Sequence, residues 1–122
     1  MKLRIQENSI RLRLTQKEVG ELRRAGRVEA TICFTPGRAL SYSIESLAEA
    51  SEPTVTFQDN AIRTVIPAEA AIRWADTDEI GIEAYQAAGP NLELRLLIEK
   101  DFQCLHRTTE QEPDAYPNPL AR

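Results

Sequence analysis

Cys104 and His106 stand two residues apart near the end of this chain, and a thiol beside an imidazole can ligate a metal or supply a nucleophile and its base. Zinc accepts both donors, but a structural zinc site spaces four Cys or His ligands in two tight pairs. This chain has two cysteines, Cys33 and Cys104, and a single histidine, so the ligand set is short. As a catalytic couple the pair meets a second difficulty. In an extended stretch both side chains point to one side, yet no helix start or glycine-rich loop stands ready to hold an oxyanion. An ordinary anchoring or surface role is the reading for both residues.

Asp76-Thr77-Asp78-Glu79 resembles the opening of a calcium loop, with Gly81 at the sixth position counted from Asp76. The ligand positions then fail, because Ile80 stands fifth and Ala87 twelfth, where a carbonyl or carboxylate and a bidentate glutamate are required. The segment reads as a solvated acidic connection. The five glycines are scattered and none falls in a phosphate-loop spacing. Trp74 and Tyr85 are the aromatics a pocket would use, but a lone aromatic among apolar neighbours more often belongs to the core or its rim.

The strongest anomaly is one of charge. Leu3 and Ile5 alternate with polar residues, as do Ile10, Leu12 and Leu14 after Glu7-Asn8, which is the pattern of two strands joined by a tight turn. That register sets Ile5 against Ile10 and Leu3 against Leu12 on one face. On the other it sets Arg4 against Arg11 and Lys2 against Arg13. Like charges directly opposed in a sheet are destabilising, so something compensates them. The candidates are acids of a neighbouring strand, Glu93 and Glu99, acids of the tail, Glu110, Glu112 and Asp114, an external anion bound by Lys2, Arg4, Arg11 and Arg13, or plain solvation.

The elements that position these residues follow the same alternation. Thr15-Gln16-Lys17-Glu18 has the spacing of a capping box, and Val19, Leu22 and Ala25 share a helical face that ends at Gly26, which predicts a helix over 16–25. Val28 to Phe34 and Leu40 to Ile44 form a second hairpin about Pro36-Gly37-Arg38, pairing Phe34 with Leu40 and Ile32 with Tyr42. Val55 and Phe57, then Asp59-Asn60 as a turn that tolerates positive φ, then Ile62, Thr64 and Ile66 give a third hairpin. Pro67 suits the first position of a second short helix, over 67–75. Ile80 to Ala84 and Leu92 to Ile98 complete a fourth hairpin about Gly89-Pro90-Asn91.

The expectation is a mainly β, α+β domain over residues 1–100: eight antiparallel strands in four hairpins with two short helices, closing barrel-like or as a sandwich, the barrel preferred. The first helix would cap one end. Residues 101–122 lack periodicity and hold three prolines, which predicts an irregular extension anchored by Phe102, Leu105 and Tyr116 on the domain or on a second copy. No repeat occurs at the periods of solenoids and propellers.

The segment from Lys2 to Thr15, together with Lys100 to Arg107 and the closing Pro117-Asn118-Pro119, resembles a small uncharacterised bacterial family, a domain of unknown function. The resemblance spans the chain and implies bacterial origin, with no activity attached.

Composition narrows the classes. Of 122 residues 42% are hydrophobic and 28% charged, as in a globular domain, and the net charge of −4 argues against a nucleic-acid protein. No stretch approaches the roughly 18 apolar residues of a membrane helix, the start lacks a signal peptide, and two distant cysteines suit reduced thiols, so a cytoplasmic protein without cofactor is expected. The functional expectation is a non-catalytic binding or interaction module for an anionic ligand or a protein partner, with oligomerisation through the tail. The alternative is a small enzyme with its site in a barrel mouth, drawing on Arg4, Arg11 and Arg13, or on Tyr42, Cys104 and His106.

Overall fold

A computed structural model describes residues 1–102 together with Asp114, Tyr116 and Pro117. The elements run β1 (Lys2–Gln6), β2 (Ser9–Leu14), α1 (Gln16–Ala25), β3 (Arg27–Thr35), β4 (Arg38–Leu47), β5 (Thr54–Gln58), β6 (Ala61–Pro67), α2 (Ala68–Asp76), β7 (Gly81–Gly89) and β8 (Leu92–Lys100). All four expected hairpins form, and α1 begins on the predicted capping box: Thr15 Oγ1 accepts from the Glu18 amide at 3.2 Å, and the Glu18 carboxylate accepts from the Thr15 amide at 2.9 Å. Pro67 is the N-cap of α2 and the last residue of β6, one place earlier than expected.

The joins between hairpins differ from expectation. The strands make two four-stranded sheets, ordered β1-β2-β8-β7 and β3-β4-β6-β5, and the central pairs β2–β8 and β4–β6 are parallel. Both sheets are therefore mixed, and they stack as a sandwich with no closed barrel. The second hairpin is also corrected. Pro36-Gly37 forms a two-residue turn preceded by a bulge on β3, so Ile32 pairs with Leu40 and Ala30 with Tyr42, leaving Phe34 as the extra residue.

Both helices lie at one end of the sandwich, pack on each other and reach both sheets, so α1 does cap an end. Beneath them Leu12, Leu14, Leu22, Ile44, Ile66, Trp74 and Ile98 are fully or almost fully buried. Burying an aliphatic or aromatic side chain of this size contributes about 1.5–3 kcal/mol, which makes this end the anchor of the fold. At the opposite end, beside the hairpin tips, apolar residues with the inward parity of the core stay exposed. Ile5, Phe34 and Phe57 are more than 60% accessible, and Ile32, expected in the interior, is 47% accessible.

The chain also contains one ββαββ unit twice. β1, β2 and α1 recur 52 residues later as β5, β6 and α2, since Lys2 answers to Thr54, Ser9 to Ala61 and Gln16 to Ala68. β3 and β4 recur 54 residues later as β7 and β8, Arg27 answering to Gly81 and Arg38 to Leu92. Gln6-Glu7-Asn8-Ser9-Ile10-Arg11 is matched by Gln58-Asp59-Asn60-Ala61-Ile62-Arg63, and Pro36, Leu40, Ile44 and Glu45 by Pro90, Leu94, Ile98 and Glu99. Loop contacts repeat too. The Ser41 amide donates to the Asn60 carbonyl and the Arg95 amide to that of Asn8, each at 3.1 Å. Each sheet takes one hairpin from either unit, so the two units are interlocked.

Candidate functional site

The outer face of the first sheet gathers the charges that the sequence singles out. Successive side chains of a strand alternate between faces, so residues in register line up in rows across the sheet. One row runs Lys2, Arg13, Glu99, Gly81; the next Arg4, Arg11, Leu97, Glu83; the third Gln6, Ser9, Arg95, Tyr85. The predicted oppositions of Arg4 with Arg11 and of Lys2 with Arg13 are both present.

Compensation comes from the neighbouring strand. Glu99 lies 3.4 Å from Arg11 and 3.5 Å from Arg13, Lys2 Nζ lies 2.9 Å from Asp101, and Arg95 meets Glu83 at 2.7 Å. Arg4 donates to the Gln6 side chain at 3.2 Å. Lys2 holds the Asp101 carboxyl below its usual range, and Arg95, helped by the Tyr85 hydroxyl, does the same for Glu83. Of the expected counter-ions, Glu99 takes the role. Glu93 offers its backbone carbonyl to Asn8 at 2.7 Å, Asp114 is exposed, and Glu110 and Glu112 lie outside the described residues.

The duplicated unit supplies an internal comparison. On the second sheet the equivalent rows are Thr54, Val65, Glu45, Arg27; Thr56, Arg63, Ser43, Glu29; and Gln58, Ala61, Ser41, Thr31. Arg11 and Arg63 correspond, as do Glu99 and Glu45, so this bridge belongs to the fold. Lys2, Arg4, Arg13 and Arg95 correspond to Thr54, Thr56, Val65 and Ser41. These four cations are peculiar to the first sheet, and sequence reasoning missed Arg95 because only the parallel β2–β8 pairing brings it there. The strands β1 and β2 thus present four outward cations and no outward acid.

Where Arg4, Gln6, Ser9, Arg11 and Arg95 converge there is a depression of about 40 Å³. It has room for one small charged group. Small-molecule sites typically occupy about 300–1,000 Å³, so a whole ligand is not engulfed here. A larger cleft of about 650 Å³ lies between α1, the end of α2 and the end of β8, lined by Leu14, Val19, Arg23, Ala75, Lys100 and Phe102. Its charges are engaged internally, Arg23 with Asp76 at 3.3 Å and Lys100 with the Thr77 carbonyl at 2.8 Å.

A family model matches residues 1–120. The chain belongs to the family of unknown function DUF7009. No curated protein and no solved structure matches it.

Asp76 and Glu79 are counter-ions of Arg23 and Arg73, the latter at 2.9 Å, and no metal-like cluster of acids, cysteines or histidine occurs among the described residues. Trp74 is fully buried with its indole N–H on the Ile80 carbonyl at 2.9 Å, whereas Tyr85 is exposed on the outer face. Tyr42 faces inward and donates to the Met1 carbonyl at 3.0 Å, so the arginines and Tyr42 of the enzyme alternative lie on opposite faces of the sheets. Cys104 and His106 lie outside the described residues; Cys33 is an exposed free thiol. No helix among the described residues is long and apolar enough to cross a membrane.

Proposed function

We propose that this protein is a non-catalytic interaction module that docks an acidic segment of a partner protein on the outer face of β1 and β2. The observation that supports this reading is the difference between the duplicated halves. Lys2, Arg4, Arg13 and Arg95 add positive charge where the second sheet carries neutral residues, in a chain whose net charge is −4. The second sheet forms the same rows without them, although Lys2, Arg13 and Arg95 each meet a carboxylate of the first sheet or its end. The shallowness of the depression favours one carboxylate of a longer ligand over an enclosed small molecule, and an open cationic strip suits electrostatic recognition of a macromolecular surface. The exposed thiol of Cys33 agrees with a reducing cytoplasm.

The test is a titration with oligoglutamate at low ionic strength, followed by amide chemical shifts. Shifts are expected at Arg4, Ser9, Arg11 and Arg95, and they should fade as salt is added. The double replacement Arg4→Thr with Arg95→Ser installs the residues of the second sheet and should abolish them. Shifts that survive the double replacement, or none at low salt, would end this reading.

A further inference from the structure

We infer that the free edge of β1 takes up the partner segment as an added strand whose side chains alternate between acidic and apolar. This deepens the proposed function and rests on it for the acidic half of the pattern.

The backbone of β1 is set up for such pairing. The two-residue turn at Glu7-Asn8 makes Gln6 and Ser9 the first pair, and hydrogen-bonded pairs alternate with non-bonded ones along an antiparallel ladder. Leu3 and Ile5 therefore direct their N–H and C=O groups away from β2. The corresponding groups of Val55 on β5 are covered. The Gln86 side-chain oxygen accepts from the Val55 amide and the Gln86 side-chain nitrogen donates to the Val55 carbonyl, each at 2.8 Å. One glutamine thus completes the ladder on that flank and ties the two sheets together. Its counterpart in the first unit is Ile32, which has no polar atom to offer Leu3. Among the described residues the flank between β5 and β7 is sealed, and its equivalent between β1 and β3 is not.

The side chains beside the open edge specify the occupant. Outward stand Lys2, whose side chain is 72% accessible beside its partner Asp101, and Arg4; inward stand Ile5, Ile32 and Phe34, all exposed. A strand laid on β1 places alternate residues on these two sides. Those opposite Lys2 and Arg4 meet cations and are acidic; those opposite Leu3 and Ile5 continue the apolar interior. Recognition of this kind takes affinity from main-chain hydrogen bonds and specificity from alternate side chains. The same cations are also a known protection of an open edge against aggregation, and under that reading alone the edge binds nothing.

The test uses the full chain and a short fluorescein-labelled peptide alternating Glu and Val, read by anisotropy, beside a Lys-Val peptide and a block peptide of the same Glu and Val content. Only the alternating acidic peptide should bind tightly. Ile5→Pro removes an outward N–H at an exposed position, and Ile32→Gln reproduces the Gln86 seal; each should weaken binding about tenfold, the effect of losing one or two strand hydrogen bonds. Peptide binding should also slow hydrogen exchange at the Leu3 and Ile5 amides, a readout that does not depend on either variant folding.

Unchanged binding in both variants overturns the added strand. If Arg4→Thr with Arg95→Ser abolishes that same binding, the ligand lies across the outer face and the broader function stands. If no peptide of any pattern binds, oligoglutamate included, both fall. Leu3 and Ile5 amides already protected in the free protein also overturn the proposal: at monomer mass the chain covers its own edge, and at dimer mass a second copy does.

Discussion

Glu99 on β8 contacts Arg11 on β2 at 3.4 Å, and the same contact recurs between Glu45 on β4 and Arg63 on β6 at 2.7 Å. In each case the acid of one ββαββ unit meets the arginine of the other across a parallel strand pair. The two bridges hold together the interlocked halves at equivalent places.

The Arg63 bridge gives a pH signature. The hydrogen bond from Arg63 holds the Glu45 carboxyl below the ordinary glutamate value, with Arg27 assisting. A carboxyl lowered on folding contributes stability above its unfolded pKa, and that contribution is lost as pH falls through the folded value. Arg63→Met should lower the melting temperature at neutral pH, and its deficit from the parent should shrink as the medium is acidified past that range. A deficit constant with pH would assign the loss to packing instead.

Thr64 is fully buried and its hydroxyl has no hydrogen-bond partner among the described residues, while the equivalent position in the first unit is Leu12. An unmet buried hydroxyl is costly, so Thr64→Val should stabilise the protein by about 1 kcal/mol in urea denaturation. A destabilised variant would point to an ordered water on that hydroxyl.

Trp74 takes the place of Leu22 and adds a hydrogen bond to the Ile80 carbonyl, which fixes the connection from α2 to β7. Trp74→Phe removes both the bond and part of the ring volume. Denaturant midpoints should show a loss of about 2–4 kcal/mol, and exchange should quicken at Ile80 and Gly81.

Gly81 starts β7 against the backbone of β8, where a Cβ would lie 2.7 Å from the Ile98 carbonyl oxygen. Backbone atoms yield poorly, so Gly81→Ala should destabilise by about 1–3 kcal/mol. The equivalent Arg27 should accept alanine with little loss beyond its contacts with Glu29 and Glu45. Equal effects at the two positions would refute the close approach.

What the sequence determined by itself is what depends on neighbours along the chain. Period-two alternation and turn residues placed four hairpins, with the register of β1 with β2 correct to the residue; the Thr15–Glu18 spacing placed α1; and the opposed cations of β1 and β2 are legible in the local pattern alone. Local signals reach no further. The parallel pairing of β2 with β8 and β4 with β6 joins residues far apart in sequence, and alternation is the same whichever strand lies alongside. Only the tertiary structure therefore supplied Glu99 as the counter-ion, added Arg95 to the site and opened the sandwich at the hairpin tips. The duplication is only partly legible in the residues: Ile10 and Ile44 recur as Ile62 and Ile98, but other core positions keep burial and not residue type, as Leu12 with Thr64 and Leu22 with Trp74 show. That Gln86 and Ile32 hold equivalent edge positions follows from the strand pairing, which local alternation does not carry.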